Sequence, residues 1–348
     1  MKREKIVTFG EIMLRLTPPD KLRFNQTDLL RVNFGGSEAN VAVSLANYGL
    51  RSELVTCLPD NRIADACLDD LRSYGVGTDH ILRGGDRLGL YYMEEAVAMR
   101  TSHVVYDRAA SSFDTLRPGQ IDWAELFADA DWFHWSGIAA AVSAETAAVC
   151  AEAVAAARRM GLTVSCDINY RKNLWRYGKR AEEVLPPLME ACDILFGTDD
   201  EYEKVLGIRL PAFTACDASY PPDTAGYEAA AREVMRRFPR CRTCVFALRN
   251  VLTANHHTIS GTLFTDGKLL RTRVYDIDAV VDCVGVGDAF VAGLIYGLAA
   301  HPDKPQQALD FGAAACAPKN TVPGDYNQVT AEEVAALAGG AVSGRIAR

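Results

Sequence analysis

Asp282-Cys283-Val284-Gly285-Val286-Gly287-Asp288-Ala289-Phe290 is the most informative stretch of the chain, because an apolar region leads into it and a helical pattern leads out. Glycines just before a helix let backbone N–H groups converge on an anion, and the helix dipole adds partial positive charge there. The stretch therefore predicts an anion-binding turn followed by a helix over Ala289–Ala300. Taken alone, it is equally compatible with a turn whose aspartate only caps the helix.

Outward from this turn, apolar runs alternate with helical patterns along most of the chain. The runs are apolar almost throughout, as expected for parallel strands covered by helices on both faces. We expect strands at Ile6–Phe9, Glu53–Cys57, Trp132–Trp135, Thr163–Asp167, Ile194–Phe196 and Thr243–Leu248. A hairpin is expected over Thr258–Leu270, turning at Asp266-Gly267. The alternation predicts an α/β fold with a mostly parallel central sheet between two helical layers.

Helix starts follow from capping residues that precede helical patterns. Ser37 is expected to cap a helix over Glu38–Tyr48, because its side-chain oxygen can accept a hydrogen bond from a free backbone N–H of the first turn. Ser143 is expected to do the same for the alanine-rich helix that runs through Met160.

Two segments near the N-terminus interrupt the alternation of strands and helices. Ile12–Thr17 has apolar residues at every second position, and Leu88–Glu95 with Val104–Tyr106 resembles a hairpin with mixed faces. Such strands predict a small antiparallel sheet, inserted at about 12–33 and 87–108, that protrudes from the main domain. It could form a lid, or an edge that pairs with another subunit.

The composition is that of an ordinary globular protein and excludes some partners. The chain has 348 residues, 49% hydrophobic and 24% charged, and we expect one domain over residues 1–348. A net charge of -8 without a basic stripe argues against a nucleic-acid partner, and against binding to anionic membranes.

The cysteines and the N-terminus predict a cytoplasmic protein. The ten cysteines are scattered, mostly in apolar strands and helices, which is typical of reduced, buried thiols. Cys241 and Cys244 form a single CxxC, and no second pair accompanies it to complete a zinc site. The first residues carry charge and lack the features of a secretory signal.

Two glycine motifs together resemble the signatures of a known family. Asn33-Phe34-Gly35-Gly36-Ser37-Glu38-Ala39-Asn40-Val41-Ala42 places a glycine pair before a helix, and Gly-x-Gly-Asp follows near the C-terminus. In this order the two segments resemble those of the ribokinase-like (PfkB) carbohydrate kinases, over essentially the whole chain. The resemblance implies a ribokinase-like α/β/α domain with a small β lid, and a sugar kinase that uses ATP and Mg²⁺.

The resemblance also assigns the chemistry of phosphoryl transfer. The chain has no G-x-x-x-x-G-K-[ST] sequence, so the phosphates are not held by a P-loop. By resemblance, the turn of Gly285, Val286 and Gly287 stabilises charge on the moving phosphoryl group through its backbone amides. Asp288 would accept the proton of the attacking sugar hydroxyl.

The nucleotide side is implied by a segment in the middle of the chain. Ile194-Leu195-Phe196-Gly197-Thr198-Asp199-Asp200-Glu201 resembles the family's N-x-x-E segment, in which Glu201 would help to hold magnesium through water. An acidic helix start is the alternative interpretation of Glu201. The residues implied at the nucleotide are Thr198, Arg249, Gly285 and Gly287.

The sugar side is indicated by three segments, Gly89-Leu90-Tyr91-Tyr92, Tyr106-Asp107-Arg108-Ala109-Ala110-Ser111-Ser112 and Asp167-Ile168-Asn169-Tyr170-Arg171-Lys172-Asn173-Leu174-Trp175. They most resemble those of the 2-keto-3-deoxygluconate kinases, which implies transfer to the terminal hydroxyl of that sugar, giving the 6-phosphate and ADP. The residues so implied are Gly35, Gly36, Ser37, Glu38, Ala39, Tyr91, Tyr106, Arg108, Asn169, Arg171 and Asp325. Arg108 and Arg171 agree with an acid sugar, because a guanidinium group can bind a carboxylate through two hydrogen bonds. Surface ion pairs for the arginines, and lid packing for the tyrosines, are the alternatives.

Other functions remain open at this point. The chain could phosphorylate fructose, ribose or a nucleoside, or it could bind a sugar without catalysis, since fold does not fix function. Val286 and Thr198 depart from the residues usual in relatives, Ala or Gly and Asn respectively. An NAD-dependent oxidoreductase is disfavoured, because Phe290 occupies the third glycine position of the dinucleotide motif. Relatives often dimerise through the lid, which predicts a homodimer or higher homo-oligomer.

Overall fold

The structure, a computed structural model, describes residues 4–341. Its strands are β1 (Lys5–Phe9), β2 (Met13–Thr17), β3 (Arg31–Gly35), β4 (Arg51–Val55), β5 (Cys57–Leu58), β6 (Leu82–Arg83), β7 (Gly89–Glu94), β8 (His103–Asp107), β9 (Trp132–Ser136), β10 (Thr163–Asp167), β11 (Ile194–Gly197), β12 (Thr243–Thr253), β13 (His256–Thr265), β14 (Lys268–Arg271) and β15 (Tyr275–Ile277). Its helices are α1 (Ser37–Asn47), α2 (Arg62–Ser73), α3 (Trp123–Leu126), α4 (Gly137–Ala141), α5 (Ala144–Arg159), α6 (Ala181–Met189), α7 (Asp199–Leu206), α8 (Thr224–Arg237), α9 (Val286–Ala300), α10 (Pro305–Lys319) and α11 (Ala331–Ala338).

The main sheet has the strand order β14-β13-β12-β11-β10-β9-β1-β4, with β15 paired to β13. The six strands from β12 to β4 in this order are parallel, and they correspond to the six strands predicted from apolar runs. β13 and β14 continue the sheet as an antiparallel hairpin. Its turn contains Asp266 and Gly267, both with positive φ, as predicted.

Helices cover both faces of this sheet because successive side chains of each strand point to opposite sides. In β1, Ile6 packs into the apolar cluster that contains α1, α9 and α10, while Val7 and Phe9 pack into the cluster that contains α5, α6 and α8. The predicted α/β/α layering is therefore confirmed. Across residues 4–341, no helix combines the length and apolar character needed to cross a bilayer.

A second, four-stranded sheet has the order β3-β2-β7-β8 and is formed by the segments predicted to protrude. Its two outer pairs are antiparallel, as expected, whereas the central pair of β2 and β7 is parallel. Parallel neighbours need a long connection, and the chain between these two strands contains α1, β4 and α2. The sheet is therefore mixed, and β3 and β8 are its edges.

Two helix starts differ from the sequence predictions. Helix α1 begins at Ser37 itself, with Gly36 as the N-cap residue and no side-chain cap, so the prediction that Ser37 caps this helix is wrong. The physical reason is that the Ser37 hydroxyl is directed to Asp288, 251 residues further along the chain. Helix α9 begins at Val286 rather than Ala289. Ser143 caps α5 as predicted.

Candidate active site

A cleft of about 590 Å³ lies between the small sheet and the carboxyl ends of the parallel strands, where open α/β sheets place their ligand sites. Residues that follow β10, β11 and β12 line one side, and the small sheet lines the other. The predicted site residues that line this cleft are Gly35, Gly36, Ser37, Tyr91, Tyr106, Arg108, Asn169, Arg171, Thr198, Glu201, Arg249, Gly285, Val286, Gly287, Asp288 and Asp325.

The first turn of α9 faces the cleft and carries Asp288. The first intrahelical hydrogen bond is donated by Ala289 to Gly285 O at 2.9 Å, so the amides of residues 286–288 have no intrahelical acceptor. Gly285 is the N-cap residue and supplies no capping side chain. The Val286 side chain packs in an apolar cluster. This helix end can therefore offer backbone N–H groups to an anion.

Two residues of α1 fix the carboxylate of Asp288. The Ser37 hydroxyl donates to Oδ1 at 2.7 Å, and Asn40 Nδ2 donates to Oδ2 at 2.6 Å. Burial raises the pKa of Asp288, and these hydrogen bonds together with the Arg171 guanidinium act in the opposite direction. The result is a positioned carboxylate that is a stronger base than an exposed aspartate.

The glycines of both motifs allow close approach of Asp325. A Cβ on Gly285 would lie 2.0 Å from the carbonyl oxygen of Asp325, and φ there is 77°. A Cβ on Gly35 would lie 2.2 Å from the Asp325 carboxylate oxygen Oδ2. The two motifs, about 250 residues apart in sequence, thus meet at one buried aspartate in the floor of the cleft.

The carboxylates of Asp167, Glu201 and Asp288 lie together in the middle of the cleft. Burial raises the pKa of Asp167, and the negative charges of Glu201 and Asp288 raise it further. Burial also raises the pKa of Glu201, which the Arg171 guanidinium opposes. Asn169, which follows Asp167, keeps a buried Oδ1 without a hydrogen-bond partner. Such repelling acids fit a divalent cation that would offset their charge.

Magnesium fits this arrangement through its water molecules. Glu201 Oε2 accepts the Thr198 N–H at 2.8 Å, so one of its oxygens is occupied by helix capping. Its other oxygen, Oε1, lies 4.0 Å from Arg171 Nη1. Within residues 4–341, no group of three or more His, Cys, Asp or Glu side chains is arranged to hold a metal directly. Mg²⁺ commonly keeps several waters and uses one or two carboxylates with substrate phosphates.

Arg108 lies at the end of the cleft predicted to take the sugar, paired with an acid that the sequence did not reveal. Its Nη2 donates to Glu11 Oε2, and both side chains are buried. Arg108 Nε and Glu11 Oε1 remain buried without hydrogen-bond partners. Since unsatisfied buried polar atoms are costly, these two atoms point to a polar ligand in the cleft.

Tyr91 and Tyr106 form one wall of this end of the cleft. Their rings pack against each other at a tilt of 35°, with 5.9 Å between centroids, and the Arg108 guanidinium lies 5.9 Å from the centroid of the Tyr106 ring. The Tyr91 hydroxyl donates to Asp325 Oδ2. Asp325 also accepts from Arg15 Nη1 at 3.3 Å, which connects the wall to a buried ion network.

An apolar pocket forms the opposite end of the cleft. Leu248, Ile259 and Phe290 line it together with the small residue Ala313. Arg249, which follows Leu248 in β12, also lines the cleft. Apolar walls with a cation at the rim can receive a flat base joined to phosphates.

Glu38 and Ala39 are the two predicted sugar contacts that do not line the cleft. Both lie in the first turn of α1 with their side chains buried beneath it. Ala39 packs with Ile12 and Leu54 in an apolar cluster. The structure therefore places these two side chains beneath α1, because only one side of the helix start faces the cleft.

Several residues were missed from sequence: Glu11, Asn40 and Asp167, which line the cleft, and Arg15 and Lys319, which are buried behind it. Asn40 stood within the quoted glycine-pair segment, three residues after Ser37, a spacing that places two side chains on one face of a helix. Asp167 closes the predicted strand β10, where the carboxyl end of a parallel strand faces the ligand edge of the sheet. Glu11 and Arg15 carried no local signal.

Comparison with known proteins identifies the class of this protein. Residues 3–239 and 259–331 match the model of the pfkB family of carbohydrate kinases. This match covers most of the chain, and it agrees with the glycine motifs and the cleft. The protein belongs to the PfkB family of carbohydrate kinases and is a sugar kinase.

Relatives named as kinases of 2-dehydro-3-deoxy sugar acids are similar over nearly the whole chain. The crystal structure of 2-dehydro-3-deoxygluconokinase from Thermotoga maritima is 40% identical, with a TM-score of 0.89 over 97% of this chain and 100% of that one. The 2-dehydro-3-deoxygalactonokinase of Haloferax volcanii is 31% identical, covering 95% of each chain. The 2-dehydro-3-deoxygluconokinase of Bacillus subtilis is 26% identical over 94% of this chain and 93% of its own.

Proposed function

We propose that this kinase transfers the γ-phosphoryl group of ATP to the terminal hydroxyl of 2-keto-3-deoxygluconate (2-dehydro-3-deoxygluconate), with Asp288 as the general base. The observation that carries the proposal is the Asp288 carboxylate, held by Ser37 and Asn40 beside the open first turn of α9. A base fixed next to an anion-binding helix end can activate the hydroxyl and stabilise the transferred charge together.

ATP would occupy the apolar end of the cleft with its phosphates directed to α9. The free amides of Val286, Gly287 and Asp288, together with that of Gly285, would bind phosphate oxygens. Arg249 would lie beside the phosphates. When bound, magnesium would neutralise phosphate charge. Glu201 would hold its water molecules, and Asp167 adds a second carboxylate near that position. Thr198 would line the nucleotide side.

An acid sugar fits the other end of the cleft. The Nε–H of Arg108 is without a protein partner and is proposed to bind a carboxylate, and Oε1 of Glu11 is likewise proposed to accept from a sugar hydroxyl. The Arg171 side chain is about half exposed beside the acids and could add a second cation. The names of the relatives support the same substrate class.

A panel of acceptors tests this function. ADP release is measured by a coupled assay with Mg·ATP and 2-keto-3-deoxygluconate, 2-keto-3-deoxygalactonate, fructose, ribose or adenosine. We expect turnover with a 2-keto-3-deoxy sugar acid and little with the neutral acceptors. Turnover with fructose, ribose or adenosine instead would identify a different kinase. No release with any acceptor would favour a non-catalytic sugar-binding protein.

Removal of the two cleft arginines should abolish the preference for acid sugars. In Arg108→Ala combined with Arg171→Ala, we expect kcat/KM for the acid sugar to fall by about 10²-fold or more, since charge-assisted hydrogen bonds contribute about 1.5–3 kcal/mol each. Neutral sugars should lose much less. The control is Arg176→Ala, an exposed arginine whose Nε donates to Asn173 O at 2.9 Å. Equal losses of kcat/KM for acid and neutral sugars would contradict the binding of a substrate carboxylate by these arginines.

The small sheet is proposed to act as a lid and as a dimer interface. Strand register places Val32, Leu16, Tyr92 and Val105 in one row across its four strands. This row lies on the face opposite to Arg15, Tyr91 and Tyr106. At its two ends, Val32 and Val105 are both 57% exposed. An apolar row on an exposed sheet suits a second copy of the chain.

Dimerisation through this row has a direct test. We expect the wild-type protein to be a dimer by light scattering and Val105→Lys to be a monomer, because a buried lysine facing its copy is unfavourable. Val251→Lys is the matched control, since Val251 is 52% exposed on β12. A monomeric wild type, or a Val105→Lys dimer of unchanged stability, would contradict this interface.

We also place the protein in the cytoplasm. All ten cysteines are free and most are buried, which supports a reducing compartment.

A further inference from the structure

The last residue of α10, Lys319, is a fully buried cation that the proposed chemistry does not use. Its exposed fraction is 0%. Its Nζ donates to Val322 O at 3.0 Å and to Gly324 O at 2.9 Å. Burying a charged ammonium group is unfavourable unless partners satisfy it. The loop of residues 322–325 supplies these partners, so that loop and Lys319 depend on each other.

Both backbone polar groups of Gly324 are hydrogen-bonded to side chains. Its carbonyl oxygen accepts from Lys319, and its N–H donates to Asp282 Oδ2 at 3.1 Å. Asp282 Oδ1 accepts the Val284 N–H at 3.0 Å. Lys319 and Asp282 thus both fix the backbone of Gly324.

The loop of residues 322–325 packs directly on the turn that starts α9. A Cβ on Gly285 would lie 2.0 Å from the carbonyl oxygen of Asp325. The backbone N–H groups of Val281 and Asp282 donate to Asn320 O at 2.8 and 3.2 Å. The segment of residues 281–285 therefore contacts residues 320–325 at both of its ends.

Buried cations and acids are grouped in this region. Arg15 and Lys319 are the cations, and Asp282, Asp325 and Glu95 are the acids, all nearly inaccessible to solvent. Burial lowers the pKa of Lys319, while the two aspartates act in the opposite direction. Arg15 contacts both aspartates from the small sheet, and Lys319 approaches from α10. Removing Lys319 would leave two carbonyl oxygens without their donor and take away one of the two buried cations beside these acids.

We propose that Lys319 is a positioning residue for phosphoryl transfer: its ammonium group fixes the 322–325 loop, and this loop sets the position of the Gly285–Asp288 turn. The inference rests on the proposed function of that turn. Lys319 itself does not line the cleft. Its removal should therefore lower kcat while leaving KM for the sugar little changed.

Chemical rescue tests this role. In Lys319→Ala we expect kcat to fall by up to about 100-fold, as small displacements of reacting groups can do. The deleted atoms are three methylenes and the ammonium group, which n-propylammonium supplies, so adding it should restore part of kcat. Tetramethylammonium at equal ionic strength should not, because it has no N–H to donate. If Lys319→Ala does not fold, Lys319→Met, which fills similar space without charge, serves for the kcat comparison.

Lys5→Met is the matched control. Lys5 is also a buried lysine, paired with Glu53 and Asp129, but it lies at the amino end of β1, opposite the cleft. The Lys5→Met variant should lose stability and keep the wild-type kcat per folded active site. Unchanged kcat in the Lys319 variants, or a lost kcat that n-propylammonium does not restore, would overturn the proposal. An inactive wild type would instead count against the proposed function.

Discussion

Asp288→Asn is expected to lower kcat by about 10²–10⁴-fold, the usual contribution of a general base, while binding of sugar and nucleotide persists. Asparagine keeps the shape of the side chain, and the Ser37 hydroxyl can turn to accept instead of donate. The measurement is steady-state ADP release, with ligand binding followed by calorimetry. Near-normal turnover in this variant would refute the role of Asp288.

The raised pKa of Asp288 gives this prediction a pH dependence with a definite sign. The base must be ionised, so wild-type kcat/KM should fall on the acid side at a higher pH than for an ordinary aspartate. The folded state also binds this proton more tightly than the unfolded state, so ionisation of Asp288 lowers stability as pH rises between the two pKa values. Asp288→Asn should therefore melt at the same or a higher temperature at neutral pH.

Arg15→Met is expected to reduce the free energy of unfolding by about 3–5 kcal/mol, the cost of leaving buried ions without their partner. Arg15 is 1% exposed and its guanidinium group contacts three buried acids. These are Asp282 at 2.8 Å, Glu95 at 3.2 Å and Asp325 at 3.3 Å. The measurement is urea unfolding followed by circular dichroism.

The same change should weaken sugar binding, because Asp325 is connected to Tyr91 in the cleft wall. The control is Arg51→Met, which removes an ion pair to Asp129 whose two side chains are about half exposed. An exposed pair contributes about 0–1 kcal/mol, so this variant should remain close to wild type. Equal losses of stability in the two variants would show that the buried network is unimportant.

Features with a local physical cause could be predicted from the sequence. The parallel strands were visible as apolar runs, and the small sheet as alternation at Ile12–Thr17. Gly285 and Asp288 were visible as a glycine turn directly before a helix, a pattern typical of anion-binding sites. Ser37 was placed in the cleft by resemblance, although its predicted capping role was wrong.

The ion network could not be predicted, because its members are distant in sequence. Arg15 alternates with apolar residues in β2, which is the pattern of a solvent-exposed face, yet it is buried against acids up to 310 residues away. Lys319 at the end of a helix also suits the helix dipole, so its sequence position does not predict a buried role. Only the packing of the two sheets and α10 around Asp325 distinguishes these roles.

The most direct test of the central claim is a crystal structure with magnesium, a non-hydrolysable ATP analogue and 2-keto-3-deoxygluconate bound together. We predict that the terminal hydroxyl of the sugar lies within hydrogen-bonding distance of the Asp288 carboxylate, with the terminal phosphate at the amides that open α9. A sugar bound with that hydroxyl remote from residue 288, or phosphates held elsewhere, would contradict the account.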